Sequence, residues 1–313
     1  PIAFYMDESG RLWRIGLPLV VQNTTRDIEA RLGSDAELVP YEDLPQHADF
    51  VYIGLHGKYG EDGCFQGLLE LLDLPYSGSG VLASALGMDK HVQRQVLRAA
   101  GVDVPRYAAV DEADWRTDPA GAAASALGAA GLPCVVKPAR EGCSTALAVV
   151  RRAEDLPAAV EEALRWDTRA LVEELLAGVE VTVAVLGNAE PHAYPPTETP
   201  PRGEFLTVEE KFLPGEGVNI TPARLPEETL ARVCDVAERA FRALHLAAFA
   251  RMDMYVTADG RIVLGEPNTL PGSSPSSTIF LGPMEEGLGP MDLLTRVVEL
   301  SLEAHRAKKG PLG

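Results

Sequence analysis

The segment that most restricts how this chain folds is FARMDMYVTADGRIVLGEPN, residues 249–268. Asp259-Gly260 is a strong two-residue hairpin signal between apolar alternations. That turn predicts that Ala258 pairs with Arg261, Asp253 with Glu266, and Arg251 with Asn268. Side chains alternate faces along a strand. Arg251, Asp253, Glu266 and Asn268 therefore share one face, and Ala250, Met252, Met254 and Val256 take the other. The second face is apolar and suits a core. The first gathers two carboxylates and an amide oxygen, the hard ligands that magnesium takes alongside substrate phosphates. Two such carboxylates raise each other's pKa unless a cation intervenes, either a metal or Arg251. A solvated polar face on an antiparallel hairpin is the competing reading, and this segment alone leaves both open. Pro267 cannot donate to a ladder, which suits a strand ending near an open site.

Other patterns predict an α/β chain. A short strand is expected over residues 2–5, with a turn at 7–10. FVYIGL, residues 50–55, is an apolar run suited to a buried parallel strand. Helices are expected over 64–72 and 90–100, the second closed by Gly101. The Ala/Gly-rich stretch 119–131 reads as a surface helix or a loose connection. Strands 134–137 and 146–150, helix 154–165, and strands 169–174 and 180–186 follow. Residues 195–222 form a long Pro/Gly-rich loop, usually functional or mobile in a compact domain. Helix 226–244, a Gly/Ser/Pro loop at 269–277 and helix 290–307 end the chain. No internal repeat is visible.

The length, 313 residues, predicts two or three domains. Lys and Arg total 28 against 46 Asp and Glu, a net charge of −18. That argues against nucleic acid on a broad basic surface, but not against a small anion held by a few cations. Cys64, Cys134, Cys143 and Cys234 are scattered, form no C-x-x-C pair and fit a reducing cytosol. No apolar run is long enough for a membrane span, and no signal peptide is visible. The chain opens without Met in what reads as a strand, so its true beginning is expected upstream.

Several segments carry candidate chemistry. KPAREGCSTA, from Lys137, follows a strand and turns through Gly142. Such a turn lets backbone N–H groups approach a phosphate, with Lys137 adding charge, but it reads equally as an ordinary hairpin turn and lacks the Walker A order. Asp89 is a good N-cap, and Lys90 behind it opposes the helix dipole, which hints at an anion nearby. Glu173, Glu174 and Glu180 suit a sugar hydroxyl or exocyclic amine, or are plain acidic strand edges. His56 follows an apolar run, where open sheets bind ligands, though a structural role is the simpler reading.

Together these segments resemble the D-alanine–D-alanine ligases of the ATP-grasp superfamily. HGKYGEDGCFQGLLELLDLPYSGSGVLASALGMDK, residues 56–90, is the most specific match, and KPAREGCS, RMDMYV and GEPNTLPGSSPSS follow in order. The resemblance runs from the first residues to about 305. It implies an α/β fold with an N-terminal parallel-sheet substrate domain (1–88, lacking its first strand–helix unit), then two ATP-grasp subdomains (89–177 and 178–313). It implies that Lys90 and Lys137 contact ATP phosphates, with the 140–146 loop, including Cys143 and Ser144, closing over them. Glu173, Glu174, Leu176 and Glu180 would line the adenine and ribose pocket, and Lys211 would reach the transferred phosphate. Asp253, Glu266 and Asn268 would bind two Mg2+ ions. Arg251 and the Gly272 N–H would stabilise the oxyanion. Ser277 and the Thr278 N–H would hold the second substrate's carboxylate, with His56 and Phe212 also lining the substrate site. The implied reaction joins two D-alanines through an acyl phosphate for peptidoglycan synthesis, in a cytoplasmic homodimer without nucleic-acid or membrane partners.

The chain departs from the family in places. A Ser is usual where Cys143 stands, and a Tyr where Phe212 stands. Phe cannot donate a hydrogen bond and a thiol donates weakly. These changes keep open a paralogue joining D-alanine to D-lactate or another D-amino or hydroxy acid. A silent nucleotide-binding protein is a further alternative, opposed by the intact metal face, both lysines and Arg251.

Overall fold

Asp7 organises the first turn. Its carboxylate accepts from the Trp13 indole, from the Arg11 and Ser9 amides and from the Arg11 guanidinium. The Trp13 hydrogen bond, more than any other contact, lowers its pKa to about 2. This turn joins β1 (Ala3–Met6) to β2 (Leu12–Ile15), and β3 (Ala36–Val39) pairs on the far side of β2. The computed structural model describes residues 1–21, 24–142, 145–200 and 218–308. It divides into two compact units, Pro1–Tyr52 with Leu68–Tyr76, and Ile53–Gly67 with the chain from Ser77 onward.

In the first unit, Ile15, Leu19, Ile28 and Leu32 form a small core. A reciprocal Thr24–Asp27 cap starts the helix Thr25–Glu29. The expected N-terminal parallel sheet is corrected here. All three strands are antiparallel, and FVYIGL contributes only one parallel bridge, Val51 to Tyr76. The Val51 amide donates to the Pro75 carbonyl at 2.8 Å, but Pro75 has no N–H to return. Two residues on, the Ile53 amide donates to the Ser77 hydroxyl instead of a backbone carbonyl.

The second unit contains two antiparallel sheets. The first comprises β4 (Tyr107–Asp111), β5 (Cys134–Pro138), β6 (Ala148–Val150) and β7 (Arg169–Glu174), in the order β4-β7-β5-β6. The 119–131 stretch is the helix Pro119–Ala130, opened by Asp118 accepting from the Gly121 amide. Its Ala126 and Ala130 join Val136, Val160 and Val172 in one core.

The second sheet comprises β8 (Gly178–Gly187), β9 (His192–Ala193), β10 (Thr197–Glu198), β11 (Ala248–Thr257) and β12 (Ile262–Asn268). Its order is β10-β8-β11-β12, with β9 also on β8. The helix Glu227–Ala243 places Val233, Ala237, Ala240 and Phe241 in a core with Val181, Val183, Ala250, Met252 and Met254. The apolar face read from the sequence is thus buried as expected.

The β11–β12 hairpin corrects the expected turn. Thr257, not Ala258, stands opposite Arg261, and its amide donates to the Arg261 carbonyl at 3.0 Å. Three residues, Ala258 to Gly260, therefore make the tip. Met254 pairs with Leu264, yet Asp253 pairs with Glu266 and Arg251 with Asn268, because the register shifts at Asp253/Met254. One extra residue on β12, Gly265, forms a bulge there. A side chain at Gly265 would meet Tyr255 at 3.2 Å and the Asp253 carbonyl at 3.3 Å. In a regular strand Ile262, Leu264, Glu266 and Asn268 would share a face. The bulge sends Ile262 and Leu264 to the core with Met254 and Val256, and leaves Glu266 opposite Asp253.

Candidate active site

The polar face of the hairpin is held by its own charges. Arg251 Nε and Nη2 donate to the two oxygens of Asp253 at 3.0 Å each. Thr182, opposite Asp253 on β8, donates its hydroxyl to Asp253 Oδ1 at 3.1 Å. Arg251 and Asp253 are both buried. Burial would lower the Arg251 pKa, but the Asp253 carboxylate beside it outweighs that and raises it. The Glu266 side chain is 45 % accessible, against 7 % for Asp253, so the face is open on the Glu266 side.

Lys90 ties this face to the loop after β5. Asp89 accepts from the His91 and Val92 amides and starts the helix Lys90–Ala99. The Lys90 ammonium lies 3.0 Å from Glu266 Oε1 and donates to the Glu141 carbonyl at 2.7 Å. The anion anticipated near this out-of-place cation is therefore Glu266. Desolvation would raise the Glu266 pKa, but Lys90 and Lys137 hold it down to about 2. Lys137, near the end of β5, stands 3.3 Å from Glu173 Oε2 on β7. Desolvation pushes the Lys137 pKa down. Burial would likewise raise that of Glu173, but Lys137 and Arg94 override it and hold it low. The loop itself is rooted by Arg140, whose amide donates to Asp167 Oδ2 at 2.9 Å.

The remaining expected residues fall into distinct places. Glu180 accepts from the Tyr255 hydroxyl at 3.2 Å, and Leu176 is half-buried just beyond β7. The Glu174 carboxylate is engaged by Arg106 at 2.8 Å and Arg261 at 3.3 Å. His56 is exposed and interacts electrostatically with Glu61. Gly272 and Ser277 come together, since a side chain added at Gly272 would lie 3.5 Å from Ser277 Oγ. The Ser277 hydroxyl shares a hydrogen bond with Ser274 at 2.9 Å. Thr278 opens the short helix Thr278–Phe280, whose N-cap Ser277 makes no side-chain capping bond. Cys143, Ser144, Lys211 and Phe212 lie outside the described residues.

Sequence reasoning missed three participants. Arg94 is buried in a two-point pair with Glu173. Thr182 supports Asp253. Glu61 accepts from the Gly57 amide at 2.6 Å, and its pKa is raised, chiefly by burial, with His56, Glu266 and Arg251 also acting on it. For Glu61 a signal existed, since it lies inside the most specific motif, between Gly60 and Gly63.

The donor set bears on a metal. Among the described residues no three His, Cys, Asp or Glu side chains gather to hold one. A third oxygen would have to come from an amide. Asn268 supplies it, because its Oδ1 is buried and has no hydrogen-bond partner among the described residues. A buried acceptor left without a donor is costly, and a cation would satisfy it. The residues present therefore fit magnesium, with Asp253, Glu266 and Asn268 as oxygen donors.

Comparison with known proteins follows the same lines. Residues 4–79 match the family model for the D-ala D-ala ligase N-terminus, and residues 96–299 match that for the C-terminus. A D-alanine–D-alanine ligase of Bacillus velezensis is 38% identical over 273 residues, covering 87% of this chain and 77% of the relative. One from Desulforudis audaxviator is 41% identical over 256 residues, 82% of each chain. Among solved structures, the ligase of Coxiella burnetii matches with a TM-score of 0.79 at 28% identity, over 97% of this chain and 85% of that one. The Bacillus anthracis ligase, solved in complex with ATP, matches with a TM-score of 0.71 at 30% identity, over 85% and 84%. These ligases have the ATP-grasp fold, which this chain shares. The two segments matched by separate family models, the relatives identical at over a third of the aligned residues and the common fold agree, and the chain belongs to the D-alanine–D-alanine ligase family.

Proposed function

We infer that this chain is an ATP-dependent ligase that joins two D-alanines for cell-wall peptidoglycan, releasing ADP and phosphate. The observation that carries the reading is the polar hairpin face, where Arg251, Asp253 and Glu266 meet Lys90, beside an Asn268 oxygen that has no hydrogen-bond partner among the described residues. The carboxylate of the first D-alanine attacks the γ-phosphate of ATP, and ADP leaves. The amine of the second D-alanine then attacks the acyl carbonyl, loses a proton, and inorganic phosphate departs. Lys90 and Lys137 neutralise phosphate oxygens, and Arg251 with the Gly272 amide stabilises the oxyanion at the carbonyl. Ser277 and the Thr278 amide orient the second substrate's carboxylate. Catalysis of this kind is mostly positioning and charge stabilisation. Magnesium, held by Asp253, Glu266 and Asn268, would neutralise charge on the transferred phosphate. We place Lys211 at that phosphate, Cys143 and Ser144 over the nucleotide, and Glu173, Leu176 and Glu180 around its adenosine. Glu174 borders that pocket from its engaged position.

The division into 1–88, 89–177 and 178–313 is supported by the two separate sheets of the second unit, β4 to β7 and β8 to β12. A homodimer in the cytoplasm is part of the same reading. Among the described residues no helix is long and apolar enough to cross a membrane. The test is phosphate release from Mg-ATP with D-alanine alone, D-lactate alone, and both. Release with D-alanine alone is expected. Release only when D-lactate is present would reassign the second substrate, and no release under any condition would refute the enzyme.

A further inference from the structure

Arg94 lies on the same helix as Lys90, four residues on, and is fully buried. Its guanidinium grips both oxygens of Glu173, with Nη2 donating to Oε2 at 2.9 Å. The Tyr107 ring centroid stands 5.1 Å from the Arg94 guanidinium and 4.6 Å from that of Arg98. Arg94 Nε has no hydrogen-bond partner among the described residues. Lys137 reaches the same carboxylate only at 3.3 Å. A buried lysine alone with a carboxylate closes to about 2.7–2.9 Å and commits its ammonium there. The arginine fork matches the carboxylate plane and satisfies it first, which leaves the lysine in a looser contact with donors to spare. Glu173 is thus shared by two cations, Arg94 and Lys137, while Lys90 pairs with Glu266.

We propose that Arg94 is a positioning residue for the nucleotide, fixing Glu173 as a rigid post against which Lys137 is aimed at the phosphates. The proposal rests on the reading of Lys137 as a phosphate ligand. Arg94 itself acts through Glu173, and its effect belongs to ATP rather than to D-alanine.

The test combines steady-state kinetics with displacement of a fluorescent ATP analogue by Mg-ATP, on Arg94→Met, Arg94→Lys, Lys137→Met and the Arg94→Met/Lys137→Met pair. Arg94→Met should weaken ATP binding and raise its KM by about 10- to 100-fold, the range for groups that orient a ligand. The KM for D-alanine should move less than about twofold, and Arg94→Lys should recover part of the loss. In the Lys137→Met background, Arg94→Met should add less than about twofold, because the two act as one unit. Unchanged ATP affinity, equal losses in both backgrounds, or parallel rises in both KM values would overturn the proposal. If Arg94→Met does not fold, Arg94→Lys carries the same cycle, with a smaller loss that Lys137→Met again erases. Wild-type ATP binding by Lys137→Met would instead refute the phosphate-ligand reading, and the proposal with it.

Discussion

Glu173 and Glu174 are neighbours at the end of β7, yet their carboxylates have opposite fates. Glu173 points into a buried cluster with Arg94 and Lys137, where every partner is at most 18 % accessible. Glu174 points the other way, to the Arg106 amide and guanidinium and to Arg261, which also binds Asp103. Those arginines are 65 % and 33 % accessible. Strand alternation alone separates the two. On one side charge is held out of water and facing an open site. On the other, the same residue type fastens the connection Asp103–Arg106 to the hairpin tip, where water shares the load. The same residue type on the two faces of one strand thus enters a buried cluster of cations on one side and fastens a surface connection on the other.

Four measurements test that contrast. The largest effect lies where the site face meets the hairpin. Asp253→Asn should cut kcat by about a thousandfold, the scale set by removing one group that stabilises transition-state charge. Wild-type rates in phosphate release would contradict the site assignment. Next, Glu173→Gln leaves Arg94 and Lys137 buried without their counter-charge and should cost about 3–5 kcal/mol in urea unfolding. A loss near zero would mean that water already reaches the cluster.

Acid should also distinguish the faces. Glu266 has its folded pKa lowered from 4.5 to about 2. Such a group adds stability above its unfolded pKa, and that contribution disappears as pH falls from about 4.5 towards 2. Glu266→Gln should therefore flatten the acid limb of the stability curve in that window and leave its slope near neutrality alone. An unchanged limb would contradict the ion pair with Lys90. The smallest effect belongs to Glu174→Gln, whose carboxylate is 10 % accessible but whose arginine partners face water. It should cost about 1–2 kcal/mol, less than Glu173→Gln, and about 1 M salt should reduce the difference. A loss comparable to that of Glu173→Gln would remove the contrast altogether.

How far the sequence went depends on the range of the interactions. Local patterns placed the helices Lys90–Ala99, Glu227–Ala243 and Pro290–Ala307 and the strands around Lys137 and Asp253. They also placed Arg251, Asp253, Glu266 and Asn268 on one face. The hairpin count reached the right partners through two departures that cancel, a tip longer by one residue and a bulge that absorbs it. Gly265 within an otherwise good strand was the available signal, since an interior glycine often marks a bulge. Arg94 was beyond such reasoning, because its partner lies 79 positions away and no local period links them. FVYIGL misled because an apolar run makes a buried strand only beside a neighbour with free amides; Pro75 is not one, and of the six residues only Ile53 is buried.

The bulge at Gly265 works like a clutch between the two ends of the hairpin. Beyond it, towards the tip, residue pairs follow one count; on the side of Glu266 and Asn268 they follow another. The extra residue at the tip therefore does not turn over the row of Arg251, Asp253, Glu266 and Asn268, because the bulge takes it up before it reaches that row. The three-residue tip, Ala258–Gly260, is in this way reconciled with a face on which Asp253 still meets Glu266.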